Sequence, residues 1–280
     1  MKRFLARNAP GYLFLSPWLL GFFLLALGPI LVSLYLSFTR YDMVSDPRWV
    51  GLGNYEYMFS RDRRFWKALE VTFTYVVLAV PARLAFALAV AMLLDKGLRT
   101  IGLYRAIFYL PSLLGASVAI AILWRELFAA SGVVNEVLGF FGIAGTDWIT
   151  NPKTSLYTLV ALAVWQFGSP MLIFLAGLRG IPRDLYEAAE IDGTPKWRQF
   201  TRITLPLLAP VIFFNLVLQT IDAFKTFSSA FIISNGVGAP ADSLLFFTVY
   251  LFNEAFKFFR MGYASALAWV LLLIIAAFTA

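Results

Sequence analysis

Six stretches of this chain stay apolar for roughly 20 residues or more, the length an α-helix needs to cross about 30 Å of hydrocarbon. They fall at residues 11–38, 68–94, 102–128, 155–178, 204–233 and 261–280. Lipid cannot hydrogen-bond a bare peptide group, so a crossing segment has to satisfy its own N–H and C=O groups, which a helix does. The sequence therefore predicts an all-α membrane protein of six transmembrane helices. With 60% hydrophobic and only 14% charged residues in 280, it is far more apolar than a soluble domain. That composition overrides the two-domain soluble reading that length alone suggests.

The first apolar run follows Lys2, Arg3 and Arg7, the flank of a signal peptide. It is too long for the 7–15-residue core of such a peptide, and it leads into Tyr35, Phe38 and Tyr41 without a small-residue cleavage site. It is read as a retained helix. The last run reaches Ala280, so a cytoplasmic tail is expected to be absent or truncated.

Cys and His are both missing, which removes disulfides, thiol and imidazole metal sites, Cys nucleophiles and every His-dependent catalytic arrangement. No metal site is expected. The net charge of +7 would suggest nucleic acid in a soluble protein. Here the basic residues sit in short loops between apolar blocks, where membrane topology explains them and no nucleic acid is needed. With the N-terminus inside, the cytoplasmic loops hold Lys2, Arg3, Arg7, Lys96, Arg99, Arg105, Arg179, Arg183, Lys196, Arg198 and Arg202. The opposite side is less dense in them, apart from Arg61, Arg63, Arg64 and Lys67. The positive-inside bias thus places the N-terminus in the cytoplasm.

One polar insertion, residues 181–206, has helical character. Pro182 opens it, and Asp184 with Glu187 has capping-box spacing, which predicts a short helix from Asp184. Gly193 supplies the left-handed exit. Thr194 and Pro195 read as N-cap and first-turn residue of a second helix running through Trp197 and Phe200 toward Leu205. On these signals alone the segment is either a well-folded connection or a helix-turn-helix on which something docks.

Glu187-Ala188-Ala189, Asp192-Gly193 with Gly193 six residues after the glutamate, then Ile203, Leu205 and Pro206, resemble the EAA loop of binding-protein-dependent bacterial ABC importer permeases. The resemblance implies that the short helices dock in a cleft of a separate ATPase. Glu187 would pair with a basic residue there, Ala188 and Ala189 would keep the surface thin, and Gly193 would allow the sharp turn. It implies a single permease domain over 1–280 with the coupling loop at 181–206, in the bacterial inner membrane. No G-x-x-x-x-G-K-[ST] occurs and no soluble block could hold a nucleotide. The chain is therefore expected to be no enzyme and to carry no cofactor, with ATP and Mg on the partner.

The likeness extends to Tyr12-Leu13-Phe14-Leu15-Ser16-Pro17, Gly28-Pro29, Ser37-Phe38-Thr39-Arg40-Tyr41, Gly51-Leu52-Gly53-Asn54-Tyr55, Tyr109-Leu110-Pro111 and Met261-Gly262-Tyr263-Ala264-Ser265-Ala266. These resemble the carbohydrate permeases of the maltose and glycerol-phosphate group. Such proteins pair with a second, related permease, two ATPase copies and an extracytoplasmic solute-binding protein. A sugar or sugar derivative is the implied solute, with glycerol phosphate or another small polar solute as the alternative within the class. An ion-driven secondary transporter would show intramembrane carboxylate relays and an internal repeat. Only Asp222 lies well inside a span, and no repeat is seen.

On the fifth run Asn215, Gln219, Asp222 and Thr226 recur at four, three and four residues, one face of a helix. They either line a solute path or hold helices together through interhelical hydrogen bonds of roughly 0.6–2 kcal/mol. In the maltose-type relatives this helix and the one before the EAA loop contact sugar, and the resemblance carries that role to Gln219, Ala223 and Thr226. Ala223 is apolar, a departure that argues against a shared sugar. Asp222 and Lys225, three apart, read as a structural ion pair that avoids about 2.5–3.5 kcal/mol per unpaired mid-membrane charge. If Lys225 lined the path it would favour an acidic sugar or a phosphate. Trp165 and Gln166, in the Trp165-to-Pro170 interruption, are further candidate contacts, with a proline kink as the packing alternative. Arg83 is expected to pair within the membrane.

Overall fold

A computed structural model describes residues 2–95, 101–115 and 117–279. Lys96, Arg99 and the expected helix end at Ala280 lie outside the described residues. The chain is mostly helical and divides into two compact units. One holds the residues up to Asp62 together with Leu251–Leu273, and the other holds Arg63–Tyr250 and the residues from Ile274 onward.

Among the described residues four helices are long and apolar enough to cross a bilayer: Leu13–Ser37, Arg63–Asp95, Lys196–Ile233 and Met261–Thr279. Two more candidates are pairs, Gly102–Leu114 with Val118–Leu127 and Ser155–Trp165 with Gly168–Arg179. The single helices expected over 102–128 and 155–178 are thus each two. In the first pair Ser117 has extended backbone, and its Oγ accepts the Ile120 N–H at 3.3 Å. A residue in that state is an N-cap, and it starts a new helix instead of continuing the old one. Residue 116 lies outside the described set. The second pair bends by 43° between Trp165 and Gly168, for a reason that belongs to the site below.

The second expected run begins earlier than residue 68, at Arg63, and is a helix of 33 residues that contains Pro81. The fifth also begins earlier than expected. Lys196–Gln199 passes through a π-helical turn, Phe200–Thr204, straight into Leu205–Phe224. It then breaks at 225–227 before Ser228–Ile233, although 204–233 contains no glycine and no proline after Pro210 to announce the break. A two-residue hairpin, Thr39–Arg40 with Arg48–Trp49, and short helices Gly53–Ser60, Val133–Phe140 and Phe247–Phe252 lie outside the six expected spans.

In the larger unit Arg63–Asp95 packs against Ser155–Trp165, Gly168–Arg179 and Leu205–Phe224. Lipid tails are as apolar as leucine, so such helices associate by close packing of small residues. Ala68, Ala87 and Ala91 are fully buried on it. Gly168 serves the same end, since a Cβ there would lie 2.5 Å from the Phe108 carbonyl oxygen.

In the smaller unit, segments more than 200 residues apart in sequence meet. Asn54 Nδ2 donates to the carbonyls of Ser37 at 2.8 Å and Thr39 at 2.9 Å. The Tyr55 hydroxyl donates to Ser37 Oγ. The Gly262 N–H donates to the Tyr41 carbonyl at 3.1 Å, and the Tyr263 hydroxyl donates to the buried Asp62 carboxylate. Gly262 sits so close to the Thr39 carbonyl that a Cβ would overlap it. Gly262→Ala should therefore lower the thermal stability of the purified protein, by about 1–3 kcal/mol as for other overpacked sites. An unchanged melting curve would show that the hairpin yields freely.

Candidate functional site

Two features of the larger unit carry chemistry. The first is the segment after Arg179. Helix Arg183–Ile191 starts behind Pro182, whose side chain caps nothing, with Asp184 in the first turn. The capping box expected from Asp184 and Glu187 is not formed. The helix ends as expected. Gly193 has φ +67°, its N–H donates to the Glu190 carbonyl at 3.0 Å, and the Thr194 N–H donates to the Ala189 carbonyl at 2.8 Å. That pair of bonds is the Schellman motif, which satisfies the last carbonyls of a helix. Nothing lies within 4 Å of where a Gly193 Cβ would be. Glycine is required there by backbone conformation alone.

The N-cap of the next helix is Pro195, not Thr194. Thr194 instead contributes its carbonyl, which accepts from Gln199 Nε2 at 3.0 Å. Lys196 pairs with Glu190 across the turn. Tyr186 and Thr204 share a hydrogen bond of 2.8 Å between their hydroxyls. The two short helices are thus fastened to each other and to the start of the fifth apolar helix. Outward they present Glu187, Ala188, Asp192 and Gly193, all exposed, with Ala189 half-buried. Ile191 is 87% and Trp197 70% exposed beside them. Ile203 and Leu205 are half-buried and Pro206 is exposed on the helix that follows.

The second feature is a cavity of about 370 Å³. It lies where the 155–179 segment bends. Pro170 has no N–H, so the Gln166 carbonyl four residues earlier loses its helical donor. Side chains from two other helices take it up: Arg83 Nε at 3.0 Å, Arg83 Nη2 at 2.6 Å and Ser112 Oγ at 2.9 Å. Ser112 Oγ in turn accepts the Ser169 N–H at 3.0 Å, and Gln166 Nε2 donates to the Gly115 carbonyl at 3.2 Å. Arg83, expected to pair within the membrane, does so with a neutral carbonyl.

Of the polar residues expected on one face of the fifth helix, Gln219, Asp222 and Thr226 line this cavity, with Ala223, Lys225 and Gln166. Asn215 does not. It is wholly buried, and among the described residues both its amide atoms lack a hydrogen-bond partner. Trp165 also stays off the cavity and packs on Trp124, ring centroids 5.8 Å apart. Asp222 and Lys225 form no ion pair among the described residues. Both are exposed, because the helix ends at Phe224 and Lys225 already caps it. Three-residue spacing pairs charges only along a continuing helix. Gln219 is 5% exposed and its Oε1 has no partner among the described residues. Arg83 and Ser169 line it as well, and the polar lining is completed by Tyr75, Ser112, Ser228 and Ser229. Sequence reasoning passed over them, and only Ser112, next to Pro111, stood near a visible signal.

The family model described as "Binding-protein-dependent transport system inner membrane component" matches residues 57–280. The chain is 51% identical to "Probable ABC transporter permease protein YesP" of Bacillus subtilis, over 97% of this chain and 88% of that one. It is 35% identical to "Lactose transport system permease protein LacF" of Rhizobium radiobacter, over 99% and 93%. With "Trehalose/maltose transport system permease protein MalF" of Thermococcus litoralis it shares 31%, over 96% and 90%. A solved structure, "Crystal structure of bacterial alginate ABC transporter in complex with alginate pentasaccharide-bound periplasmic protein", superposes with a TM-score of 0.82 at 22% identity, over 100% of this chain and 95% of that one. At that identity the likeness speaks for the fold.

A buried amide without partners costs about 1–3 kcal/mol. Asn215→Leu, apolar and with the same side-chain branching, should therefore raise the melting temperature of the purified protein, the opposite of the usual core substitution. A fall would mean that Asn215 is hydrogen-bonded in the membrane.

Proposed function

The chain belongs to the family of binding-protein-dependent transport system inner membrane components, and on that premise we propose that it is one permease half of an ATP-driven sugar importer. It is a non-catalytic membrane subunit. The sugar assignment draws on the names of its relatives, which include lactose, arabinooligosaccharide and trehalose/maltose permeases.

In this reading all six apolar segments cross the membrane, the two bent pairs each counting once, and the N-terminus is cytoplasmic. The 280 residues act as one permease domain. A second, related permease supplies the other wall of the path. Two ATPase subunits hydrolyse ATP with Mg in the cytoplasm, a solute-binding protein delivers the sugar from outside, and this chain holds no cofactor. Glu187, Ala188, Ala189, Asp192 and Gly193 form the ATPase-facing surface, backed by Ile203, Leu205 and Pro206. Exposed Ile191 and Trp197 give that surface apolar area to bury on docking. Gln219, Asp222, Thr226, Ala223, Lys225 and Gln166 line the solute path. Asn215 and Trp165 act in packing.

The observation that carries this reading is continuity. The helix that begins at Lys196, immediately after the exposed turn, runs to Phe224 and brings Gln219 to Ala223 to the cavity. Closure of the ATPase pair would push on the turn and tilt that helix as one body. The cavity would then open alternately to either side, the rigid-body form of alternating access.

Co-purification with the ATPase and second permease of its complex tests this reading. Glu187→Arg, a charge reversal on the exposed face, and Gly193→Asp, a side chain forced to positive φ, should both lose the ATPase and keep the second permease. If wild type binds no ATPase, or both variants retain it, the coupling surface is wrongly assigned.

A further inference from the structure

A second cavity of the larger unit, about 1020 Å³, lies where three apolar helices start or finish. Asp95 closes helix Arg63–Asp95, Arg179 closes Gly168–Arg179, and Lys196 begins the helix that runs on to Phe224. The cavity therefore sits at the border between hydrocarbon and water, which on the permease reading is the cytoplasmic border. Its wall has two characters. Leu178, Ile181 and Phe200 make one part apolar, and Arg179, Arg183 and Lys196 make another basic. Arg179 Nε stands 3.7 Å from Asp95, near enough to share charge but beyond hydrogen-bonding distance. Lys196 pairs with Glu190. Arg183 is exposed and belongs to no ion pair among the described residues. The lining also holds the Tyr186 and Thr204 hydroxyls, 2.8 Å apart. Two hydroxyls that share one hydrogen bond spend one proton on it, so the other O–H is left to donate. Glu187, Ala188, Asp192 and Gly193 are not in the lining, so a ligand here leaves the exposed turn uncovered.

We infer that this cavity binds the headgroup of an anionic phospholipid, a phosphodiester such as that of phosphatidylglycerol. The inference goes beyond the permease reading and takes from it only the side of the membrane. Phosphodiester oxygens accept from guanidinium, ammonium and hydroxyl donors alike. The basic part of the wall would serve a free phosphate equally well. The apolar part beside it serves only an anion with hydrocarbon attached. Basic pockets between membrane helices on the cytoplasmic side take lipid headgroups in this way. Arg183 and Tyr186 come from the short helix, whereas Arg179 and Thr204 come from the two long segments on either side of it. A headgroup held by both sets strengthens the joint that the Tyr186–Thr204 contact already ties.

The test uses the full chain, purified in detergent and freed of native lipid. Its melting temperature is followed during titration with short-chain phosphatidylglycerol, short-chain phosphatidylcholine and glycerol 1-phosphate. Phosphatidylglycerol should raise it saturably, and the other two should not. Arg183→Gln should raise the half-saturating phosphatidylglycerol concentration by about tenfold or more, the effect of one lost charge-assisted hydrogen bond. Arg183→Lys, which keeps the charge, should raise it less. Arg179→Gln, on the other side of the cavity, should act as Arg183→Gln does and replaces it if that variant does not fold. Lys153→Gln removes an exposed cation outside the cavity and should change nothing. An equal shift with phosphatidylcholine, or an equal loss in Lys153→Gln, makes the effect general to the lipid surface and overturns the site. Glycerol 1-phosphate acting as well as phosphatidylglycerol overturns the lipid in favour of a free phosphate. No shift with phosphatidylglycerol, or unchanged half-saturation in both arginine variants, overturns the inference outright. None of these outcomes bears on the permease reading, which is decided by the ATPase co-purification.

Discussion

A chain dissolved in hydrocarbon has no water to fall back on, so each place where a helix is interrupted leaves a peptide group that some other part of the protein must satisfy. The Gln166 carbonyl is the clearest instance. Pro170 removes its donor, and Arg83 and Ser112 arrive from two other helices to replace it. The bond therefore does three things at once: it fixes the bend, ties three helices together at one point, and brings a guanidinium to the wall of a cavity. The break at 225–227 and the N-cap at Ser117 have the same logic, with Lys225 at one end of the cavity and the Ser117 hydroxyl holding the next helix start. Polar chemistry gathers at the interruptions because that is where backbone groups have lost their helical partners.

The exposed turn at Gly193 obeys the same constraint on a surface open to solvent. There the end of the helix is closed by its own backbone through Gly193, and no side chain is used. This leaves Glu187, Ala188, Asp192, Ile191 and Trp197 free on the outside. A turn that satisfies itself internally can present a surface whose residues are all available to a partner.

Apolar length was legible in the sequence because hydrophobicity accumulates over a whole run, so an error at any one residue hardly matters. Four of the six runs hold helices long enough to cross a bilayer among the described residues and the other two hold bent pairs, while the helix exit at Gly193 follows from the conformational demand for glycine. The interruptions were harder. Trp165 to Pro170 announced itself through Gly168 and Pro170, but the break after Phe224 has neither residue, and tertiary packing ends the helix there. The expected Asp222–Lys225 pair failed with it, since its spacing presumed a helix that does not continue. The Asp184 box and the Thr194 cap failed for a local reason: Pro182 and Pro195 each take the capping position. That Arg83 would seek a carbonyl exposed by a proline 87 positions away could not be read from either neighbourhood alone. The motif residues Thr39, Asn54 and Gly262 were noticed singly, and their meeting in one small unit is a fact of three dimensions.

On the proposed function, the helix that joins the turn to the cavity is a mechanical arm. From Lys196 to Gln219 it spans about 35 Å at 1.5 Å per residue, so each degree of tilt about one end sweeps the other by about 0.6 Å. Its stiffness is uneven, because the π-turn at Phe200–Thr204 lies close to the driven end and such turns are common points of bending. A push delivered before that turn is partly absorbed by flexing it, whereas one delivered beyond it reaches the far end in full. The hydroxyl contact between Tyr186 and Thr204 ties the short helix to the last residue of this soft point, so most of the turn's compliance lies behind the grip and little lies ahead of it.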